Sequence, residues 1–121
     1  MDLSTRREAV QQAQKLLKEA PVYLDTETTG LGLNAEIIEI AIIDSDGGLL
    51  FESMVKPKGL IEPDALIVHG ISAMDVQDAP GWQQVWPQAE AVLQGRRIGA
   101  YNSDFDLRLM KQTHQRSWLS W

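Results

Sequence analysis

Apolar positions change their spacing along this chain in a way that marks its elements before any chemistry is considered. Ala9, Ala13, Leu16, Leu17 and Ala20 fall on one face of a helix spanning residues 4–20. Thr5 and Glu8 stand at capping-box spacing near its start, and Pro21 stops it. Val22-Tyr23-Leu24 then opens a strand that runs into Asp25-Thr26-Glu27. The run from Ile37 to Ile43 is too apolar for a strand with one wet face, and predicts one buried on both sides. Asp46-Gly47-Gly48 reads as a hairpin turn, with Leu49 to Val55 as the returning strand and Lys56-Pro57 as its close. Three strands with short connections make an antiparallel meander.

Residues 58–80 break this rhythm. They hold Pro63, Gly70 and Pro80 among short apolar stretches and predict turns rather than a regular element. Trp82, Val85, Trp86, Ala89, Val92 and Leu93 restore the helical period over 82–94, with Pro87 as an awkward interior residue and Gly95 as C-cap. A short strand over 97–101 and a second helix from Asp104 to about Gln115 complete the pattern. The order predicts one α/β domain with a mixed sheet, residues 1–20 forming an N-terminal helix and 21–121 the body.

Composition narrows the function classes. The 121 residues are 44% hydrophobic and 23% charged, which places the chain among globular proteins rather than disordered ones. The absence of cysteine excludes a disulfide framework, a thiolate zinc site and a cysteine nucleophile. The N-terminus is polar, and no apolar run approaches the ~20 residues of a membrane span, so a soluble, cytoplasmic protein without a membrane partner is expected. The net charge of −6 argues at first sight against a polyanionic partner. Its distribution modifies that view: residues 21–95 hold two basic and twelve acidic side chains, whereas residues 96–121 hold five basic and two acidic. Most of the acids fit a solvated surface, and some fit cation binding.

Asp25 and Glu27 lie two residues apart on a strand and therefore share a face. Carboxylates so placed repel each other unless something neutralises them. A solvent-facing stripe and a divalent-cation site are both open readings. Asp104 and Asp106 suit the first turn of the last helix, where acids are favoured for structural reasons alone. A strand ending near Asn102 would also deliver Asp106 to the carboxylate-bearing end of the sheet as a third oxygen ligand. His114, farther along that helix, reads as a surface histidine.

Two segments carry a resemblance. Asp25-Thr26-Glu27-Thr28-Thr29-Gly30 resembles the first motif of the DEDD, or DnaQ-like, 3′–5′ exonucleases, which include polymerase proofreading subunits. Asn102-Ser103-Asp104-Phe105-Asp106 resembles the second, and Val68-His69-Gly70-Ile71 a segment common in the branch whose base is histidine. The resemblance covers roughly residues 20–112 and implies a ribonuclease H-like fold. It further implies two divalent cations, Mg²⁺ or Mn²⁺, about 4 Å apart at the scissile phosphate. Asp25 would bridge them, and Glu27 and Asp106 would each hold one. The implied substrate is the 3′ end of single-stranded DNA or RNA. Leu31 would wedge against terminal bases, the Thr28 amide would meet the 3′-hydroxyl region, and Asn102 would contact substrate. His69 is expected to pack or to touch substrate rather than act as base. A polymerase partner belongs to the same set of implications.

The family's third motif, a His followed about five residues later by an Asp, has no counterpart: no acidic residue follows Asp106. The chain is therefore expected to stop about one strand and one or two helices early, with weakened metal binding and little or no activity. It reads as a fragment of a longer exonuclease, a degenerate member that binds nucleic acid or metal without cutting, or a chain completed by another. An assembly module is the reading from a different class. The strand near Ile98 would then be an open edge, and Trp118, Leu119 and Trp121 would add apolar surface, so self-association, most simply as a homodimer, is expected.

Overall fold

The computed structural model describes residues 5–12, 20–100 and 103–121. Residues 5–12 are helical (α1) and exposed throughout; the remainder of the helix expected up to residue 20 lies outside the described residues until Ala20. Then come β1 (Val22–Thr28), β2 (Ile37–Ile43) and β3 (Leu49–Met54). The strand order is β3-β2-β1-β4, with β4 (Ile98–Ala100) parallel to β1 and the other pairs antiparallel. The mixed sheet and its meander are thus as the sequence pattern predicts. The β2–β3 hairpin turns at Gly47, whose φ of +90° suits glycine, while Asp44 Oδ1 accepts the Gly48 amide at 2.8 Å.

One expectation is corrected. Residues 58–80 are not only turns but contain two short helices, α2 (Pro63–His69) and α3 (Ala73–Val76). Pro63 occupies the first helical turn, where its missing N–H costs nothing. Ser72 and Asp75 form a capping box at the start of α3. Gly70 ends α2 in the left-handed region at φ +70°. These cues sit in the sequence, but the helices are too short for the apolar period to show.

Helices α4 (Trp82–Leu93) and α5 (Ser103–Arg116) supply the main cover. Trp82, Val85, Ala89 and Leu93 from α4, and Leu109 and Met110 from α5, pack with Val22, Leu24, Ile40 and Ile42 into one core. Pro87 removes a backbone donor from α4 but stays on its exposed side, so no core contact is lost. Ile38 joins a smaller cluster with Ile71 and Val76 that seats α3. No helix among the described residues is long and apolar enough to cross a membrane.

His114 corrects a second expectation. It is not a surface residue: only 2% exposed, it accepts the indole N–H of Trp82 at 3.0 Å through Nδ1. Its ring lies edge-on to Trp86 and Trp121, with centroids 4.6 and 5.1 Å away. Burial pushes its pKa below the ordinary value, with the Met110 carbonyl and the Glu90 charge opposing. The tail after α5 turns through Trp118 at φ +61° and returns the Leu119 amide to the His114 carbonyl at 2.9 Å. Leu119 packs against the core, while Trp118 and Trp121 remain largely exposed.

Candidate active site

The register of the sheet places its acids. Asp25 stands opposite Ala41 and Glu27 opposite Glu39, while Ala41 and Glu39 stand opposite Glu52 and Met54. Directly paired residues share a face, so Asp25, Glu27, Glu39 and Glu52 form an acidic array on one side of the sheet. Val22, Leu24 and Thr26 alternate to the other side, toward the core. The array leaves its mark on Glu39, whose pKa lies above the usual carboxylate range. Partial burial is the largest cause, followed by the charges of Glu52, Glu27 and Asp25, with His69 opposing. Glu39 was not among the residues the motifs single out; the two-residue offset of the paired strands is the signal that finds it.

Between Glu27 and Thr28 the pairing with β2 shifts, an irregularity that bends the strand where the acidic motif ends. The chain beyond is tightly tied. Thr28 Oγ1 donates to the Gly30 carbonyl at 2.8 Å, and Thr29 accepts the Glu36 amide on its hydroxyl at 3.0 Å. Buried Glu36 in turn accepts the amides of Lys58 and Gly59 at 2.9 and 2.8 Å, with Arg116 3.7 Å away. These bonds hold the loop after β1 against the segment leading to α2.

A cleft of about 280 Å³ opens at this end of β1. Glu27, Thr28, Leu31 and His69 line it, joined by Phe105 from α5 and by Glu62. Four of the residues expected at the site are therefore neighbours. Both nitrogens of His69 are engaged: Nδ1 accepts the Ile71 amide at 2.9 Å, so Nε2 carries the proton and donates to the Thr28 carbonyl at 2.9 Å. His69 thereby ties α2 to the end of β1. Gly30 allows the Glu62 carboxylate to lie over the backbone; a Cβ there would collide with that carboxylate and push the flexible side chain aside.

Asp106 bonds to the residue that stands between the other two acids in sequence. It is 7% exposed, and its Oδ1 accepts the Thr26 hydroxyl at 2.9 Å. It lines a second, larger cavity of about 430 Å³, walled by Leu24, Trp86, Ile98, Met110 and Trp121. Among the described residues, no three His, Cys, Asp or Glu side chains stand close enough together to hold one metal ion. Asp25 and Glu27 share one strand face, and Asp106 is held by the Thr26 hydroxyl. Asn102 lies outside the described residues.

The donor chemistry fits a divalent cation. Asp25 and Glu27 present hard carboxylate oxygens on one strand face, the donor type that divalent cations prefer. Asp25 and Glu27 are the residues that would hold such an ion.

Comparison with known proteins adds the relationship. The sequence model of the family described as Exonuclease matches residues 22–117. An uncharacterized exonuclease, CP81, of Escherichia phage 186 is 40% identical over 103 residues, covering 85% of this chain and 53% of the phage protein. A DNA polymerase III subunit epsilon of Buchnera aphidicola is 32% identical over 101 residues, covering 75% of this chain and 43% of that subunit. Among solved structures, product-bound exonuclease I superposes with a TM-score of 0.72 at 18% identity, over 85% of this chain and 27% of that one. The fold is the ribonuclease H-like one of the DEDD exonucleases. The chain spans about half the length of the curated relatives it matches.

Proposed function

The chain belongs to the exonuclease family, and from that premise we propose that it is a cytoplasmic protein whose cleft receives the 3′ end of a single-stranded nucleic acid, with weak or no turnover as this 121-residue chain. The observation that carries this reading is the placement of Glu27, Thr28 and Leu31 around one cleft at the end of β1, with Asp25 on the same strand face. Asp25 and Glu27 would hold a divalent ion, Mg²⁺ or Mn²⁺. When bound, such ions polarise the phosphoryl oxygens and lower the pKa of attacking water. Phe105 and Leu31 offer apolar surface to the terminal base, and the Thr28 backbone faces the sugar. Both nitrogens of His69 are engaged within the protein, so this side chain is not placed as general base, a role that contributes about 10²–10⁴-fold where present.

A 5′-labelled single-stranded oligonucleotide, DNA or RNA, incubated with the protein and Mn²⁺ tests the reading. Retention of the oligonucleotide on the protein with little shortening is expected, and both retention and any shortening should fall in Asp25→Ala. Failure to bind either strand would contradict the nucleic-acid reading. Rapid, Asp25-dependent shortening would contradict the low activity.

Self-association is a second reading, favoured by the edge position of β4. Ile98 there is 52% exposed, and Leu107 and Trp121 expose apolar surface around the larger cavity. A second copy pairing along β4 would cover this surface and the unpaired strand edge. Sedimentation velocity over a concentration series should show a dimer; a monomer at tens of micromolar would contradict it. A polymerase subunit covering the same surface is the alternative occupant, to be distinguished by the same measurement.

A further inference from the structure

The helix that carries Asp106 also holds the loop that follows the first acidic motif. Arg108, Gln112 and Arg116 are spaced four residues apart on α5 and so form one row along it. Arg108 Nη2 donates to the Leu31 carbonyl at 2.9 Å, and Nη1 reaches that of Gly32 at 3.4 Å. Gln112 Nε2 donates to the carbonyls of Gly32 and Ala35, each at 3.1 Å. Arg116 Nη1 donates to the Asn34 carbonyl at 3.0 Å. Three side chains of one helix thus serve four carbonyls of a loop more than seventy residues away in sequence.

Arg108 is itself held in place. Its Nη1 donates to Gln112 Oε1 at 2.8 Å, and its guanidinium carbon lies 5.4 Å from the centroid of Phe105, which lines the cleft. The loop it anchors presents Leu31, whose side chain is 73% exposed although its backbone is fixed. A large apolar side chain that projects into solvent from an anchored backbone has little backbone entropy left to lose when a flat partner arrives.

We infer that Arg108 is a positioning residue, which sets Leu31 at the mouth of the cleft so that it meets the terminal base of a strand bound there. This rests on the nucleic-acid reading of the cleft. An arginine beside such a cleft would ordinarily be assigned to a phosphate. Here its guanidinium makes three hydrogen bonds within the protein and rests on an aromatic ring, so it acts through the loop.

The test uses a single-stranded oligonucleotide with 2-aminopurine as its 3′-terminal base, titrated with the full chain in Mg²⁺ buffer. Unstacking by Leu31 raises the 2-aminopurine fluorescence on binding. Arg108→Leu should lose most of that rise while keeping its affinity within about threefold of wild type and its salt dependence unchanged. Arg108→Lys, which cannot reproduce the fork, should recover only part of the signal. Leu31→Ala should lose the rise equally, and the double variant should lose no more than either single one, because both act on one contact. Additive losses, or a salt slope reduced by about one, would assign Arg108 to a phosphate and overturn the inference. If wild type binds no oligonucleotide, the nucleic-acid reading fails separately. Hydrogen exchange of residues 31–35 then decides the clamp: unchanged exchange in Arg108→Leu overturns it, and selective acceleration supports it.

Discussion

Thr26 and Asp106 are 80 residues apart in sequence, yet the Thr26 hydroxyl donates to Asp106 Oδ1 at 2.9 Å. This bond joins the middle of the acidic motif on β1 to the first turn of α5. Thr26 alternates away from Asp25 and Glu27 on the strand, so the bond draws the third acid toward the core side of the sheet. It keeps a largely buried carboxylate hydrogen-bonded.

Replacing that hydroxyl should therefore be felt in stability. Thr26→Val keeps the side-chain shape but removes a donor to a partly buried carboxylate, and should cost about 1–2 kcal/mol. Thr26→Ser retains the hydroxyl and should cost less. Urea denaturation of the three proteins measures both.

Glu39 should behave in the opposite sense. Its raised pKa means that the folded state favours the protonated acid, so its contribution is fully present below the ordinary carboxylate value and is lost as pH rises through the raised one. Glu39→Gln removes the repulsion from Glu52, Glu27 and Asp25. In metal-free buffer at neutral pH it should raise stability slightly, by no more than about 0.5 kcal/mol for so solvated a group. At pH 4 the gain should vanish. Urea midpoints at the two values provide the comparison.

His114 makes stability depend on pH near neutrality. Its folded pKa lies below the ordinary 6.5, so the neutral ring contributes fully above that value. The contribution is lost as pH falls from 6.5 toward the depressed folded value, where the unfolded chain takes up a proton that the folded chain refuses. His114→Gln should flatten this part of the urea-stability profile between pH 7.5 and 5.5. It should also alter tryptophan fluorescence, because Trp82 donates to this ring.

Trp118 occupies a left-handed position that ordinarily suits glycine. The side chain is 86% exposed, so little packing is lost with it. Trp118→Gly should relieve the backbone and stabilise the chain by about 0.5–1 kcal/mol, less what glycine adds to unfolded-state entropy. Thermal melting monitored by far-UV circular dichroism tests this.

The strands were legible because their cues are local and strong. Ile37 to Ile43 forms an apolar block of strand length, and Gly47 marks the hairpin. The first acidic motif was legible for the same reason, since alternation alone puts Asp25 and Glu27 on one face. What the sequence pattern could not show is which distant groups meet. The Thr26–Asp106 bond and the Arg108–Leu31 clamp depend on where α5 crosses the sheet. The burial of His114 is hidden in the sequence because its helical neighbours Gln115 and Arg116 are polar, while its apolar surroundings come from α4 and the tail. The helices of 63–76 were missed because elements of four and seven residues are marked by caps rather than by period.

The central claim is that the acidic face beside the cleft binds a divalent ion through Asp25 and Glu27. Calorimetric titration of Mn²⁺ into the wild-type chain and into Asp25→Asn tests it most directly. The account predicts weak, saturable binding by wild type that is lost or sharply reduced in Asp25→Asn. Equal binding by the two proteins would contradict it.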